Sequence, residues 1–159
     1  MRTAAKGFTL VEVILVMGML AVIAGVVFVN QIRPQNVASL DGVAATLVAD
    51  IKSQQVKAMA GDSVSASSAQ AHGVRIQSGT YTLFKGSSYS AGDTDNFTVT
   101  AATGVTLSTT FASSVLIFTK ATGDITSFVN GQNTITLTSA ATGTSKVITL
   151  NRYGAVTVN

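Results

Sequence analysis

One acidic residue stands in an otherwise apolar run near the start of the chain. Glu12 is the only glutamate of the 159 residues, and Val13 to Val29 follow it without a polar side chain. A carboxylate at the centre of a bilayer costs roughly 2.5–3.5 kcal/mol, and such residues usually have a function that involves a partner. The alternative is that Glu12 lies close enough to the lipid headgroups to be solvated and has no role. The apolar run alone leaves both interpretations open.

The run that carries Glu12 is long enough for a membrane helix. From Phe8 to Val29 it has 22 residues, which span about 33 Å as a helix, against a hydrocarbon core of about 30 Å. Arg2 and Lys6 precede it, and the positive-inside rule keeps that end in the cytoplasm. A secretory signal peptide is the competing interpretation, but its apolar region should be shorter and should end in small residues.

The residues just before and including Glu12 form a specific motif. Residues 7–12 read Gly-Phe-Thr-Leu-Val-Glu. They resemble the class III leader junction of type IV pilins and type II secretion pseudopilins, in which Gly-Phe-Thr-Leu is followed by Val, Ile or Leu and then Glu. The resemblance implies cleavage between Gly7 and Phe8 by a prepilin peptidase on the cytoplasmic side, followed by N-methylation of the Phe8 amine. Glycine before the cut is plausible because it lets the backbone extend into a protease site.

The same resemblance implies a partner for Glu12. Its carboxylate would neutralise the terminal amine of a neighbouring subunit during filament assembly. Inside a packed bundle of helices the effective dielectric is low, so an unmatched charge is strongly disfavoured. A wrongly staggered subunit would leave both charges unmatched, and the pair would therefore set the register of assembly.

Few other residues suggest chemistry. His72 is the sole histidine and the chain has no cysteine, so we expect a solvated loop residue rather than a metal ligand or a catalytic base. Asp93 and Asp95 are weak candidate calcium ligands, because their segment has the oxygen-rich start of a calcium loop without the glycine and final glutamate of an EF-hand. A polar turn is the simpler interpretation. The sequence predicts no enzyme, no catalytic residue and no cofactor.

The charge distribution does not predict a nucleic-acid partner. The formal net charge is +3, but without residues 1–7 the chain has eight basic residues against seven acidic ones. Some FimT-like minor pilins capture DNA through an arginine-rich C-terminal tail, and phosphate binding needs clustered Lys or Arg. Here Lys146 and Arg152 are two charges and not a cluster. A DNA-binding minor pilin of a DNA-uptake pilus is therefore kept only as an alternative function.

Beyond the apolar run the pattern predicts a second helical half. Pro34 should kink or break the helix near residues 30–34. From Gln35 to about Met59 apolar residues recur every three to four positions, as in an amphipathic helix, and Gly61 is a natural stop. The predicted buried stripe consists of Leu40, Val43, Leu47 and Ile51, with Ala44, Ala58 and Met59 on or beside it.

The rest of the chain alternates Thr with Val, Ile, Leu or Phe between glycines, which predicts short strands. Asn130-Gly131 is in addition a hairpin signal. Strands are expected at 74–76, 80–84, 97–100, 105–107, 115–118, 125–129, 134–138, 146–150 and 155–158. The predicted fold class is α+β and pilin-like, with one long N-terminal helix, membrane-spanning in its first half, packed on a C-terminal antiparallel β-sheet domain.

The C-terminal third resembles a narrower group of proteins. An apolar strand ends at Phe118, Gly123 follows in a turn, and the strands 134–137 and 147–150 precede the ending at 153–156, Tyr-Gly-Ala-Val. This order is similar to that of H-type pseudopilins and FimT-like minor pilins.

These patterns divide the chain into four segments. Residues 1–7 are the leader, 8–29 the transmembrane and filament-core helix, 30–61 its amphipathic second half, and 62–159 a β-rich head. The protein is expected to be a single-pass inner-membrane protein with its N-terminus in the cytoplasm, and later part of a periplasmic pseudopilus or a cell-surface pilus.

The predicted function is that of a structural subunit, either a minor pilin or a pseudopilin, of a type IV pilus-like filament or a type II secretion pseudopilus. The expected partners are prepilin peptidase, other pilin or pseudopilin subunits, an inner-membrane assembly platform and, before assembly, the lipid membrane. A membrane-anchored exported β domain with an accidental motif is the remaining alternative.

Overall fold

The chain divides into two compact units, Met1–Gln35 and Asn36–Asn159. A computed structural model describes residues 9–60, 70–126 and 128–159, with the side chains of 25–38 excepted. The predicted leader and the start of the predicted head lie outside the described residues, so the segment boundaries assigned there stay predictions.

One α-helix, α1, extends from Leu10 to Ala60. Its first turn contains the acidic Glu12 and its last turn the basic Lys57, each the sign of charge that the helix dipole favours at that end. Of the kink or break predicted near Pro34, the break is wrong, because the helix continues through this residue, and the kink stays a prediction. Proline lacks the main-chain N–H and so removes one donor from the helix.

The described part of the second unit is built on two four-stranded antiparallel sheets, which confirms the α+β class. The first sheet has the strand order β3-β2-β1-β5 and the second β4-β6-β7-β8. The strands are β1 (His72–Gln77), β2 (Thr80–Lys85), β3 (Phe97–Thr100), β4 (Val105–Thr109), β5 (Val115–Phe118), β6 (Thr134–Ser139), β7 (Ser145–Leu150) and β8 (Val156–Val158).

The second half of α1 closes one hydrophobic core with both sheets. Leu40, Leu47, Ile51 and Ala58 are buried, and Val43 packs against the same cluster, so the predicted stripe is confirmed. Met59 lies beside it, with 42% of its surface exposed. Each fully buried aliphatic side chain contributes about 1.5–3 kcal/mol. The strands supply Val74, Tyr81, Leu116, Phe118, Ile135, Leu137, Ile148 and Leu150.

Polar contacts fix the C-terminal end of α1 to two loops of the head. The Gln55 Nε2 amide donates to the carbonyl oxygens of Gly123, at 3.0 Å, and Tyr153, at 2.8 Å. The Ala121 N–H donates to the Ala58 carbonyl at 2.9 Å, which satisfies one of the acceptors that a helix end leaves open. These bonds position the helix along its axis, which the apolar stripe alone does not do.

The strand predicted at 125–129 is wrong for the described residues of that stretch. Ile125 forms an isolated bridge with Phe118, and the chain then turns, with the Gln132 N–H donating to the Val129 carbonyl at 3.1 Å. Ile125 is only 4% exposed and Phe128 packs against the core, so these two apolar side chains are buried without forming a sheet. Asn130-Gly131 therefore lies in a turn that does not connect two paired strands.

The expectation for His72 is also wrong. It is 4% exposed and is the first residue of β1, paired with Lys85 on one side and Phe118 on the other. Its Nδ1 atom lies 3.1 Å from Gln54 Oε1 on α1. The polar residues that precede His72 suggested a solvated loop, but strand pairing on both sides and the facing helix exclude water.

Candidate functional site at the N-terminal end of the helix

The start of α1 is set by a threonine. Thr9 directly precedes Leu10, and its main-chain carbonyl accepts the N–H groups of Glu12, at 3.1 Å, and Val13, at 3.3 Å. The Thr9 Oγ1 atom also accepts the Glu12 N–H, at 3.3 Å. Thr9 is therefore the N-cap residue of the helix, a position in which a side-chain oxygen satisfies an otherwise open donor.

The motif analysis missed this capping role of Thr9. The signal was present, because Thr9 and Glu12 have the Thr-x-x-Glu spacing of a capping box before an apolar run. The spacing means that one short motif both begins the helix and places a carboxylate within its first turn.

The Glu12 side chain is exposed. Within the part of the chain that the structure describes, its carboxylate takes part in neither a hydrogen bond nor an ion pair. Gly7 and Phe8, the residues of the predicted cleavage and methylation site, lie outside the described residues. Their roles therefore stay predictions, and so does the role of Glu12.

The apolar side chains that follow Glu12 are not covered by the rest of the described chain. Leu10, Ile14, Leu20 and Ile23 each have more than half of their surface exposed. Exposed apolar side chains in such number mark a surface that contacts lipid or another protein. Among the described residues, no helix meets the length and apolarity needed to cross a membrane. The span predicted for residues 8–29 therefore stays a prediction.

The candidate calcium ligands lie in an exposed turn. The Asp95 N–H donates to Asp93 Oδ1 at 3.0 Å, and the Asn96 side-chain amide donates to the Ser90 carbonyl at 2.7 Å. The first bond is the local turn that Asp side chains commonly form. The described residues contain no group of three or more His, Cys, Asp or Glu side chains that could hold a metal ion.

Lys146 and Arg152, the two basic residues considered for DNA binding, are not both free of an acidic partner. Lys146 Nζ forms an ion pair with Asp41 Oδ1 at 2.8 Å, which fastens β7 to the solvent side of α1. Arg152 is exposed in the turn before β8.

Comparison with known proteins supports the N-terminal motif. Residues 2–28 match the family model described as the prokaryotic N-terminal methylation motif. Neither the search of curated proteins nor that of solved structures found a match. The matched segment includes residues 7–12 and the exposed apolar side chains after them. The chain therefore carries a type IV pilin-like prepilin leader, which implies processing by prepilin peptidase and assembly with other pilin subunits.

Proposed function

We propose that this protein is a structural subunit of a type IV pilus-like filament or a type II secretion pseudopilus. It is anchored by residues 8–29 in the inner membrane, cut between Gly7 and Phe8, methylated at Phe8 and assembled through α1. The observation that carries the proposal is the match of residues 2–28 to the N-terminal methylation motif.

Two features of the described residues support this proposal. The apolar side chains from Leu10 to Ile23 are exposed, as expected for a surface that is covered by lipid before assembly and by other subunits afterwards. The Glu12 carboxylate is exposed in the first turn of α1, where it is available to a neighbouring amine.

Within this class we propose a minor subunit of the H-type pseudopilin or FimT-like kind. The support is the order of elements in the C-terminal third, where β5 ends at Phe118, Gly123 lies in a turn with φ +70°, and β6, β7 and β8 follow. The Gly154 turn with φ +73° leads into β8, as the sequence resemblance implies.

Mass spectrometry of the protein from its native membranes and sheared filaments tests the proposed processing. We expect a mature N-terminus at N-methyl-Phe8. A Gly7→Val variant should stay uncut because the added side chain obstructs the extended site, whereas Ala5→Val, two residues away in the leader, should be processed normally. An intact Met1 in the wild type, or a cut near residue 30, would contradict the proposal.

A further inference from the structure

The head has a groove of about 490 Å³ that the proposed filament function does not use. Its floor is one face of the first sheet, because Arg75 of β1 is directly opposite Val115 of β5 and Ile117 lies two residues further along the same strand, on the same face. One wall is the segment 87–89, and the other is the segment 111–113. Thr126, Val129 and Gln132 complete the lining.

The position of the Arg75 guanidinium in this groove is set by aromatic side chains. Its Cζ atom lies 4.4 Å from the centre of the Tyr89 ring. The Tyr89 ring in turn meets Phe84 edge to face, with 5.5 Å between the ring centres, and Phe84 is only 2% exposed. A buried aromatic residue therefore supports the ring on which the guanidinium stacks, as in a cation–π pair.

The charge of Arg75 is not balanced by an acidic side chain in the described part of the chain, where the one ion pair joins Lys146 and Asp41. No side-chain hydrogen bond of Arg75 is formed with the described residues either. The guanidinium is thus positioned by Tyr89, and no described residue accepts a hydrogen bond from its N–H groups. A guanidinium presents them as a planar fork that matches two oxygens of a carboxylate or phosphate.

The walls of the groove add further donors and a strained backbone. Within the described residues the side chains of Ser113 and Gln132 make no hydrogen bond and can donate to a ligand oxygen. Ser113 and Ser114 have φ values of +55° and +57°, a left-handed conformation that is unfavourable for residues other than glycine. Such backbone strain is concentrated at ligand and active sites.

Apolar side chains lie beside these polar groups. Phe111 is 8% exposed and borders the groove together with Val115, Ile117 and Val129. A ligand that satisfied only the guanidinium would leave this part of the groove in contact with water. The lining is therefore that of a site for an anionic group with an attached apolar portion.

We propose that this groove binds an oxyanion, carboxylate or phosphate monoester, that carries a small apolar group. The oxyanion pairs with the Arg75 fork and receives hydrogen bonds from wall side chains such as Ser113, and the apolar group packs on Phe111 and Val129. The proposal is independent of the proposed filament function, since none of these residues belongs to α1.

Isothermal titration of the full-length protein in detergent micelles at low salt tests this proposal. The probes are N-acetyl-phenylalanine, its neutral amide and phenyl phosphate. We expect at least one of the two anions to bind about tenfold or more tightly than the amide, a ratio that corresponds to the loss of a charge-assisted contact. The relative affinity of the two anions then shows whether carboxylate or phosphate is preferred.

Variants of Arg75 and Lys85 test whether the anion binds in this groove. Arg75→Gln should weaken anion binding about tenfold or more. Arg75→Lys keeps the charge but loses the planar pair of N–H donors, so its affinity for the anion should be intermediate between those of Arg75→Gln and the wild type. Lys85→Gln is the matched control, because Lys85 is a cation of the neighbouring strand that lines a different pocket, and it should leave the affinity unchanged within twofold. Unfolding curves recorded on each variant establish that the head is intact.

Three results would overturn the proposal. They are no binding of either anion, equal binding of the amide, and equal affinity in wild type and a folded Arg75→Gln variant. A loss on Lys85→Gln that exceeds the loss on Arg75→Gln would assign the anion to the other pocket and would also overturn it.

Discussion

Among single residues, Tyr81 shows how the core of the head holds a polar group. Its ring is 1% exposed, and its hydroxyl donates to Asp50 Oδ2 on α1 at 2.5 Å. Burial, followed by the hydrogen bond and the negative charge of Asp50, raises the pKa of Tyr81 well above its ordinary value of 10.0. The two residues are 31 positions apart, and nothing in their local patterns predicts that they meet.

The raised pKa of Tyr81 predicts a loss of stability in alkali. Above pH 10.0, the ordinary value, the unfolded chain loses the phenolic proton while the folded chain retains it, so the free energy of unfolding falls as the pH rises. At about one pH unit above that value, Tyr81 alone should cost up to about 1.4 kcal/mol. Below pH 10.0, the contribution of Tyr81 to the free energy of unfolding is fully present.

Urea unfolding between pH 8 and pH 11 measures this effect. Tyr81→Phe should be less stable at pH 8, because Asp50 loses its donor, but its stability should decline less towards high pH. Tyr153→Phe is the control, since Tyr153 is 70% exposed, and it should decline as the wild type does. Parallel curves for wild type and Tyr81→Phe would contradict the assignment.

At the scale of elements, the C-terminal end of α1 is joined to the sheets by close contacts at glycine. Gly154 has φ +73°, and a Cβ atom added to it would overlap the side-chain amide of Gln55. Lys52 Nζ donates to the Gly154 carbonyl at 2.6 Å. Both the conformation and the space around Gly154 therefore require glycine. The sequence marks a turn here but does not show which helix residue the turn contacts.

Gly154→Ala should destabilise the head more than Gly131→Ala does. Gly131 also has a left-handed φ, +83°, but nothing lies within 4 Å of an added Cβ, so its substitution measures the conformational cost alone, about 1–2 kcal/mol. Gly154→Ala adds displacement of the Gln55 amide from its two carbonyl partners, which should cost about 1–3 kcal/mol more.

Urea unfolding of the full-length variants in detergent measures the difference. In a Gln55→Ala background the two glycine substitutions should cost nearly the same, because the contact that separates them has been removed. If the two substitutions lower the free energy of unfolding equally in the wild-type background, Gln55 adapts to the added methyl group and its contact does not require glycine at position 154.

At the scale of the whole molecule, the proposed assembly depends on a few residues at the start of α1 and little on the head. Thr9 begins the helix, Glu12 presents a carboxylate one turn later, and apolar side chains follow. The head shares one hydrophobic core with the second half of α1, and none of the residues of that core belongs to the first turns of the helix. A defect in assembly and a defect in folding should therefore be separable.

Glu12→Ala should be cleaved and methylated as the wild type is, but should fail to enter filaments in a cell that also makes wild-type subunits. In the proposed assembly, loss of the carboxylate would leave the amine of the neighbouring subunit without a counter-charge in a medium of low dielectric. The measurement is the ratio of tagged variant in sheared filaments to that in membranes, and we expect it to fall about tenfold or more.

Two variants serve as controls for this experiment. Glu12→Asp keeps the charge and should be incorporated at an intermediate level, and Asp93→Ala removes an acid from an exposed turn of the head and should be incorporated normally. Normal incorporation of Glu12→Ala would show that the charge is incidental.

The sequence by itself determined the features that depend on near neighbours. Residues 7–12 carry a motif complete within six positions, the three-to-four spacing predicted the buried stripe of α1, and alternation of Thr with aliphatic residues predicted most strands. Helix caps, periodicity and turn glycines are local properties of the chain, so a linear pattern is sufficient to predict them.

Only the tertiary structure decided which distant residues meet. It excluded the predicted strand for the described residues of 125–129 and buried His72 against α1. It also brought Asp50 to Tyr81 and Gln55 to the turn at Gly154. These outcomes depend on sheet order and on the position of the helix over both sheets. The residues next to a position in the chain do not determine these contacts, because a side chain is buried or exposed according to the distant residues that pack on it.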